Sequence, residues 1–364
     1  MIKQKCCYKI TDKAVKTAMK IRLRLTAVFA AVMLIAQLLS GCGAGKPAMK
    51  YGKAEISDRI YRYMLMNSME YYLESLSGAE NTPEFWDQSA ADGMTLRQFL
   101  EADVEKSVKT LLVAVSLFED SGMKLSPEAE ANVDSDIQDI ADSYGSKPEM
   151  NADLGRYGIN ADILREIFIM QEKEQALYNF YYGDNGIMLP TDEELDAYYK
   201  ENYICIKYIS LHLYKSAEGV DGLFAMTDEE KQEVYSLAEQ LLAEAKSGAD
   251  FDALMAEYNQ DDLSAYPGGV YLASTDRGYD IVDRAFLIDI GGTELVEQEK
   301  ALYIVRRLEL EDSAYMSDTS GQFGNLVDKC CEQLYFKALS EHHGEVEVDY
   351  DIIASIGESV FAAG

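Results

Sequence analysis

Histidine is scarce in this chain, and one copy lies where it has room to do chemistry. The run KYISLHLY, residues 207–214, holds the only histidine between the start of the chain and residue 341. Its alternation of apolar and polar residues predicts a strand, in which His212 and Ser210 face the same side. An imidazole there can donate a hydrogen bond to a ligand. The alternative is a half-buried polar residue on a sheet, and the residue pattern taken alone favours this alternative.

The rest of the sequence contains little that indicates a metal or redox site. No CxxC, HExxH or calcium-loop pattern occurs, and His342 and His343 near a predicted helix end are interpreted as solvent-exposed. Beyond residue 42 the cysteines are Cys205, Cys330 and Cys331, of which the adjacent pair points to different helix faces. We therefore expect no disulfide framework, no metal and no nucleotide or flavin cofactor.

The first 42 residues are typical of an exported lipoprotein. After Met19 a basic start precedes an apolar run, Leu25 to Leu39, which is shorter than the roughly 20 residues that a membrane-spanning helix needs. Leu-Ser-Gly-Cys at 39–42 resembles the bacterial lipobox, in which the cysteine becomes the lipid-modified first residue. We expect residues 1–41 to be a signal peptide, Cys42 to carry lipid and residues 42–53 to form a tether. The protein is then extracytoplasmic and anchored to the cell membrane, whether translation starts at Met1 or Met19.

Composition restricts the partners. The 364 residues, of which 48% are hydrophobic and 10% aromatic, supply material for more than one core. The formal net charge of -31 argues against nucleic acid, because phosphates require clustered Lys and Arg. Loss of residues 1–41 takes the charge to -38, since eight Lys or Arg and one Asp leave with them.

Residues 54–200 predict a helical domain. Apolar positions recur at helical spacing, and Ser, Thr and Ser-Pro signals mark the starts. The methionines and tyrosines between Tyr61 and Tyr72 are interpreted as core, the alternative being an adaptable groove for unfolded chains. The helices are expected to begin at Ser57, Thr95, Ser126, Asp162 and Thr191.

The pattern changes at Tyr203, where strands begin to alternate with short helices. A strand is followed by a helix with a capping box at Thr227, and then by a second short helix. A strand follows Gly268-Gly269, and a last helix near residues 281–287 precedes the strand ALYIVRRLEL. The order β-α-α-β-α-β predicts one compact α+β domain of about 105 residues.

Two stretches of this domain carry a family resemblance. ADFDALMAEYNQDDLSAYPGGVYL is similar to the helix, the Tyr-Ser-x-Asp/Cys segment and the Gly-Gly turn of parvulin-type peptidyl-prolyl isomerases, and RAFLIDIGG to their Ala-x-Phe-x-Leu-x-x-Gly stretch. The whole chain resembles the secreted foldase lipoproteins of Gram-positive bacteria. The resemblance implies an α+β protein whose N- and C-terminal segments, residues 54–200 and 313–364, form a helical chaperone-like lobe. A parvulin-like domain, residues 203–310, is inserted into that lobe.

The resemblance also implies a reaction without covalent intermediates. Rotation about a prolyl amide faces a barrier of about 20 kcal/mol, because amide resonance must be broken. The family is expected to use two histidines and an Asp or Cys beside the amide. An apolar pocket holds the proline ring.

Transfer of the catalytic positions gives an incomplete match. Ser210 and Tyr303 stand at the two histidine positions, while Asp261 fits the Asp/Cys position. His212 remains a catalytic candidate, because residues two apart on a strand share a face. Hydroxyls can replace imidazole as hydrogen-bond donors. The degenerate site therefore predicts weak or absent isomerase activity.

The proline pocket is only partly matched. Tyr271 stands at a leucine position, Ile281 lies near the expected phenylalanine, and Phe286 is retained. We expect these three residues to bind substrate. The methionine equivalent has no clear position, since the segment from Leu272 to Ile281 is shorter than the family pattern.

These features favour a membrane-anchored foldase with weak peptidyl-prolyl cis-trans isomerase activity. The alternative is a catalytically inactive holding chaperone or assembly factor. A solute-binding lipoprotein would need two α/β lobes, which the helical sequence pattern of residues 54–195 does not predict. The expected partners are unfolded or newly secreted polypeptides and, through lipid on Cys42, the membrane. A homodimer through the helical lobe is compatible with its apolar content.

Overall fold

Two compact units make up the protein. The computed structural model describes residues 45–76, 79–90, 93–216 and 223–362, so the predicted signal peptide and Cys42 lie outside the described residues. One unit contains the residues up to Ile187 and those from Tyr335 onward, and the other runs from Met188 to Leu334. Helices and antiparallel sheets occur together, which confirms the predicted α+β class.

The unit boundaries differ from the predicted domain boundaries at residues 200 and 313. An aromatic cluster in the second unit explains this difference. In it, Tyr199 and Phe323 pack against Tyr203, which begins the first strand of that unit. The helix before this strand and the turns after residue 313 therefore share a core with the sheet.

The first unit begins with a small antiparallel sheet. Met49 pairs with Ile56 on one side and with Val348 on the other. The expected tether is therefore wrong from Pro47 onward, because pairing with a segment almost 300 residues later gives this stretch a place in a sheet. The two N-terminal strands are β1 (Pro47–Tyr51) and β2 (Ala54–Ser57).

Six helices follow in the described residues of this unit, and local capping explains where they begin. The hydroxyls of Ser57 and Ser126 accept hydrogen bonds from backbone amides three residues later, and Thr95 forms a capping box with Gln98. These starts confirm the predictions, whereas the two short helices were not predicted. The helices are α1 (Asp58–Ser75), α2 (Pro83–Trp86), α3 (Leu96–Asp120), α4 (Pro127–Ser143), α5 (Lys147–Leu154) and α6 (Ala161–Tyr182).

Helix α3 lies at the centre of this unit's core. Residues 111–116 are buried without interruption, as in a helix surrounded on all sides. Helices α1 and α6 and both strands pack against it. On α1, Tyr61 and Met69 are buried, but Tyr71 is 67% exposed. The core interpretation therefore holds for most of the tyrosine and methionine positions, but not for Tyr71.

The second unit is built on a four-stranded antiparallel sheet. The last helix before it begins with a capping box at Thr191, as predicted. Its elements are α7 (Asp192–Asn202), β3 (Tyr203–His212), β4 (Tyr214–Ser216), β5 (Leu223–Ala225), α8 (Asp228–Lys246), α9 (Phe251–Tyr258), β6 (Val270–Ala273), α10 (Asp280–Leu287), β7 (Thr293–Glu297) and β8 (Ala301–Leu308). The strand order is β6-β3-β8-β7, and β4 pairs with β5 separately. Strand β7 and the β4-β5 pair were not predicted.

The two faces of this sheet bury different helices, because side chains alternate along each strand. Ile209 and Leu211 pack with α8 and α9 on one face. Ile206 packs with Ala285 of α10 on the other. The even-numbered residues of β3 share the α10 face, and this alternation decides which side chains can form one site.

The C-terminal segment completes the first unit. Tyr335 and Leu339 are buried in its core. The first helix of this segment starts at Leu326, after a turn in which the carboxylate of Asp318 accepts hydrogen bonds from the backbone amides at 320 and 321. The elements are α11 (Leu326–Ser340), β9 (Glu347–Val348) and the unpredicted α12 (Tyr350–Phe361). In the described ranges, no helix combines the length and apolar character needed to cross a bilayer.

Candidate functional site

Ser210 and Tyr303 lie directly opposite each other on β3 and β8. Opposite residues of an antiparallel ladder point to the same face and have Cβ atoms about 5 Å apart. Ser210 is fully buried, and its hydroxyl makes no hydrogen bond of ordinary geometry. The structure thus brings together the two residues at the expected histidine positions, although Ser210 lies below the surface.

His212 and Asp261 form a hydrogen-bonded pair at the end of β3. The His212 Nε2 atom is 2.9 Å from Oδ1 of Asp261. The imidazole also stacks on the Tyr214 ring, with centroids 4.7 Å apart. The side chains of the pair are 24% and 30% exposed, so a ligand can reach both. The sequence pattern favoured a structural role for His212, whereas this pairing with an accessible carboxylate supports a functional one.

Tyr208 belongs to the same group and was missed by the sequence analysis. Its ring meets the Tyr303 ring edge to face, with centroids 5.5 Å apart. Burial raises the pKa of Tyr208 to about 12, and the negative charge of Asp261 and a hydrogen bond to that carboxylate add to the effect. Its phenol therefore stays protonated at neutral pH. The available signal was its position two residues before Ser210, on the same strand face.

Tyr303 is also held in its neutral form. Burial raises the pKa of its phenol, the charge of Asp261 raises it further, and contact with the Ser210 hydroxyl has the opposite effect. Asp261 thus acts on both tyrosines as well as on His212. The four predicted catalytic residues lie together at one end of the sheet, where Asp261 provides a carboxylate and the Tyr303 phenol provides a neutral hydrogen-bond donor.

The loop after α9 delivers Asp261 to this site. The backbone amide of Gln260 donates a hydrogen bond to the Ser210 carbonyl, with 3.0 Å between nitrogen and oxygen. Asn259 and Gln260 also contact the strand through their side chains. The family resemblance points to Asp261 in this segment but implies no role for the two residues before it.

An apolar cluster lies on the same face as the polar group. Ile281 and Phe286 of α10 are partly buried in it, together with Tyr208 and Tyr303. Arg307 on β8 holds this helix, since its Nη1 atom lies 3.1 Å from the Phe286 carbonyl and 2.8 Å from the Ile288 carbonyl. Two of the three predicted pocket residues therefore lie in the apolar cluster beside Tyr208 and Tyr303.

Tyr271 is the exception among the predicted substrate-binding residues. It pairs with Cys205 on β3, and odd-numbered β3 residues face away from α10. Its ring packs against Phe323, with centroids 4.7 Å apart, in the aromatic cluster of the second unit. Leu272, the next residue, joins the α10 face instead. The register of β6 therefore removes Tyr271 from the candidate pocket and puts Leu272 there.

Among the described residues, no three His, Cys, Asp or Glu side chains are grouped so that they could hold a metal ion. The arrangement can bind a peptide through apolar contacts and present a carboxylate and donors to its backbone.

Comparison with protein families identifies the central segment of the chain. Residues 199–310 match the model of the PPIC-type PPIase domain. This range contains the sheet, α10 and all the residues of the candidate site. A search of curated proteins finds no match.

Several solved structures are similar to this chain at low identity. The foldase protein PrsA from Streptococcus pneumoniae is 18% identical, with 76% of this chain and 92% of that chain covered and a TM-score of 0.24. PrsA from Bacillus subtilis is 19% identical, with coverages of 77% and 92% and a TM-score of 0.23. The foldase protein PrsA from Lactococcus lactis is 16% identical, with coverages of 75% and 97% and a TM-score of 0.26. Likeness at this level carries no functional argument.

Proposed function

Because residues 199–310 match the model of the PPIC-type PPIase domain, we propose that this protein is a foldase that binds extended polypeptides and slowly isomerises their prolyl bonds. The observation that carries the proposal is the accessible His212–Asp261 pair, with 2.9 Å between Nε2 and Oδ1. It lies on the face that also bears Tyr303 and the apolar cluster with Ile281 and Phe286.

The site acts by distinguishing a twisted amide from a planar one. In the planar amide, resonance places partial negative charge on the carbonyl oxygen. A carboxylate such as Asp261 next to that oxygen disfavours the planar form. In the twisted amide the proline nitrogen regains its lone pair and accepts a hydrogen bond, which the Tyr303 phenol can donate, since the Nε2–H of His212 is engaged by Asp261. Interactions that are stronger in the transition state than in the ground state lower the barrier.

Low activity follows from the residues at the two histidine positions. Ser210 is fully buried and cannot reach a bound peptide. Tyr303 offers a single neutral donor in place of an imidazole. The His212 imidazole, two residues further along β3, is engaged by Asp261 through Nε2 and serves to hold that carboxylate in place. Isomerisation is therefore proposed to be slower than at a site with both histidines.

The cellular setting is the extracytoplasmic side of the membrane. Cleavage after residue 41 and lipid on Cys42 would hold the mature chain near the point where secreted polypeptides emerge. Such polypeptides are unfolded and are the proposed clients. Mass spectrometry of the N-terminal peptide from membrane fractions tests this step: lipid on Cys42 supports it, and an uncleaved precursor contradicts it.

A holding chaperone without isomerase activity is the second candidate. The burial of Ser210 favours it, since the site then lacks one of its two expected donors. In that case the apolar face of the domain would bind extended chains without turning their prolines.

Exchange NMR on a short Xaa-Pro peptide distinguishes the two candidates. We expect residues 43–364 to give cis-trans exchange above the uncatalysed rate, with peptide signals broadened by binding. Broadening without added exchange would identify the holding chaperone. Neither broadening nor exchange would contradict both functions.

A further inference from the structure

One edge of β3 lacks a strand neighbour at the site. On one side, β8 pairs with β3 as far as His212. On the other, β6 pairs only with residues 203–206. Within the described part of the chain, the outer edge of β3 from Lys207 to His212 is therefore not covered by a strand. Buried backbone groups require other partners.

Side chains from the loop after α9 fill this edge. The Ser210 amide donates to Oδ1 of Asn259 at 2.7 Å, and the His212 amide donates to Oε1 of Gln260 at 2.6 Å. The backbone of Gln260 adds the bond to the Ser210 carbonyl at 3.0 Å. Two side-chain amides and one backbone amide thus take the place of the missing strand.

Asn259 also holds the backbone of Asp261. The Nδ2 atom of Asn259 donates to the Asp261 carbonyl at 2.7 Å. The side-chain amide of Asn259 therefore accepts a hydrogen bond from the Ser210 backbone on β3 and donates one to the Asp261 carbonyl. It thus ties the position of Asp261 to that of Ser210. Placement matters here, because a displacement of 1 Å at a reacting group can cost about 100-fold in rate.

We propose that Asn259 and Gln260 are positioning residues that hold the Asp261 carboxylate against His212 by completing the free edge of β3. Neither side chain needs to touch a substrate. The inference rests on the proposed isomerase function for its effect on rate, but the arrangement itself can be measured without turnover.

The chemistry of Asn259 suggests a nearly isosteric test. Asn259→Asp keeps an acceptor for the Ser210 amide but loses the donor to the Asp261 carbonyl. Gln260→Met removes the acceptor for the His212 amide at similar size and leaves Asn259 intact. Asn202→Asp is the matched control. The Asn202 side-chain amide also both donates and accepts, away from the site: it donates to the Tyr198 carbonyl at 3.0 Å and to Oε1 of Gln333 at 3.2 Å, and it accepts from the Ser274 hydroxyl at 2.8 Å.

Two readouts on residues 43–364 test the inference. The first is the ¹⁵N resonance of the His212 ring in protein with labelled histidine, which reports the hydrogen bond to Asp261. The second is kcat/KM for an Xaa-Pro peptide. Asn259→Asp is expected to move the resonance towards its position in Asp261→Asn and to lower kcat/KM about tenfold, mainly through kcat. Gln260→Met is expected to give smaller changes of the same sign, and Asn202→Asp to change neither.

The outcomes separate this inference from the proposed function. If the wild-type protein has no isomerase rate but the resonance moves in Asn259→Asp, the positioning role stands and the isomerase function fails. An unmoved resonance in both folded loop variants overturns the inference, whatever the rate. If Asn259→Asp does not fold, the result for Gln260→Met decides.

Discussion

The Nε2 atom of His212 lies 2.9 Å from Oδ1 of Asp261, although the residues are 49 positions apart in the chain. This contact joins the end of a strand to the loop after α9, on the sheet face shared with Ser210 and Tyr303. The site thus has an imidazole and a carboxylate in contact, with Ser210 and Tyr303 at the two positions where the resemblance implies histidines.

The hydroxyl of Ser210 is predicted to reduce the stability of the second unit. It is buried without a hydrogen bond of ordinary geometry, and such a group costs about 1–3 kcal/mol. Ser210→Ala should therefore increase the free energy of unfolding by about 1 kcal/mol in urea titrations. Ser116→Ala is the parallel case in the first unit. That hydroxyl is also buried without a partner, so its removal should likewise increase the free energy of unfolding. A clear loss of stability in Ser210→Ala would show that its hydroxyl has a partner.

Asp261 is predicted to control the ionisation of Tyr208. Burial is the larger cause of the raised pKa of about 12, and Asp261 is the second. Asp261→Asn should lower the pKa of Tyr208 but leave it above the ordinary value of 10.0, because burial persists. NMR titration of ¹³C-labelled tyrosine, with Tyr208→Phe to assign the signal, measures the change. An unchanged midpoint would place Asp261 too far away to act on this phenol.

Glu174 on α6 is predicted to make the first unit less stable as pH rises. Burial raises the pKa of its carboxyl from 4.5 to about 7. The folded state then favours the protonated form, so stability falls as pH rises from about 4.5 through 7. Glu174→Gln should leave stability at pH 4 unchanged and increase it at pH 8 by about 1–3 kcal/mol. Urea unfolding at both pH values measures this.

The control for this pH effect is Glu166→Gln, since Glu166 is exposed on the same helix. It should change stability little at either pH. An equal gain in both variants at pH 8 would point to relief of the general negative charge, and not to burial of one carboxyl.

Arg307 is predicted to support the pocket through α10. Its Nη1 atom lies within hydrogen-bond distance of the carbonyls of Phe286 and Ile288 at the end of that helix. Arg307→Met should destabilise the second unit by about 1–3 kcal/mol and weaken peptide binding, because charge-assisted bonds to buried carbonyls are lost. Arg307→Lys retains a charged donor and should lose less. Calorimetric unfolding and peptide titration measure both effects, and equal losses in the two variants would argue against a role for the donor.

The helical lobe is predicted to fold without the inserted domain. The core of the first unit is formed by its own residues around α3. A chain in which residues 203–310 are removed and the ends joined should keep cooperative thermal unfolding by circular dichroism. Protection of Tyr199 and Phe323 from hydrogen exchange should fall, since their cluster loses Tyr203 and Tyr271. A chain without a cooperative transition would contradict this division.

Local chemistry explains what the sequence analysis predicted well. Helices begin at Ser57, Thr95 and Thr191 because the hydroxyls accept hydrogen bonds from nearby backbone amides. The sequence signal for such a cap lies within four residues. Strand β1 was missed although it pairs locally with β2 across a turn at Gly52 and Lys53, and its second partner, Val348, lies almost 300 residues away. No local pattern reports such a pairing.

The site shows the same limit. The group at Ser210, His212, Asp261 and Tyr303 could be predicted from strand alternation and the family resemblance together. The exclusion of Tyr271 required the register of β6 against Cys205, which the sequence does not reveal. A one-residue change of register moves every side chain to the other face. The contribution of Asn259 and Gln260 was missed for a related reason, since it depends on where β6 stops pairing with β3.

A double-mutant cycle on the His212–Asp261 pair tests the central claim most directly. Prolyl exchange rates would be measured by NMR for residues 43–364, for His212→Ala, for Asp261→Ala and for the double variant, with peptide binding followed in the same spectra. We predict a catalysed rate that either substitution reduces at least tenfold, no further loss in the double variant, and retained binding. Independent losses that multiply, or a full rate without the pair, would contradict the account.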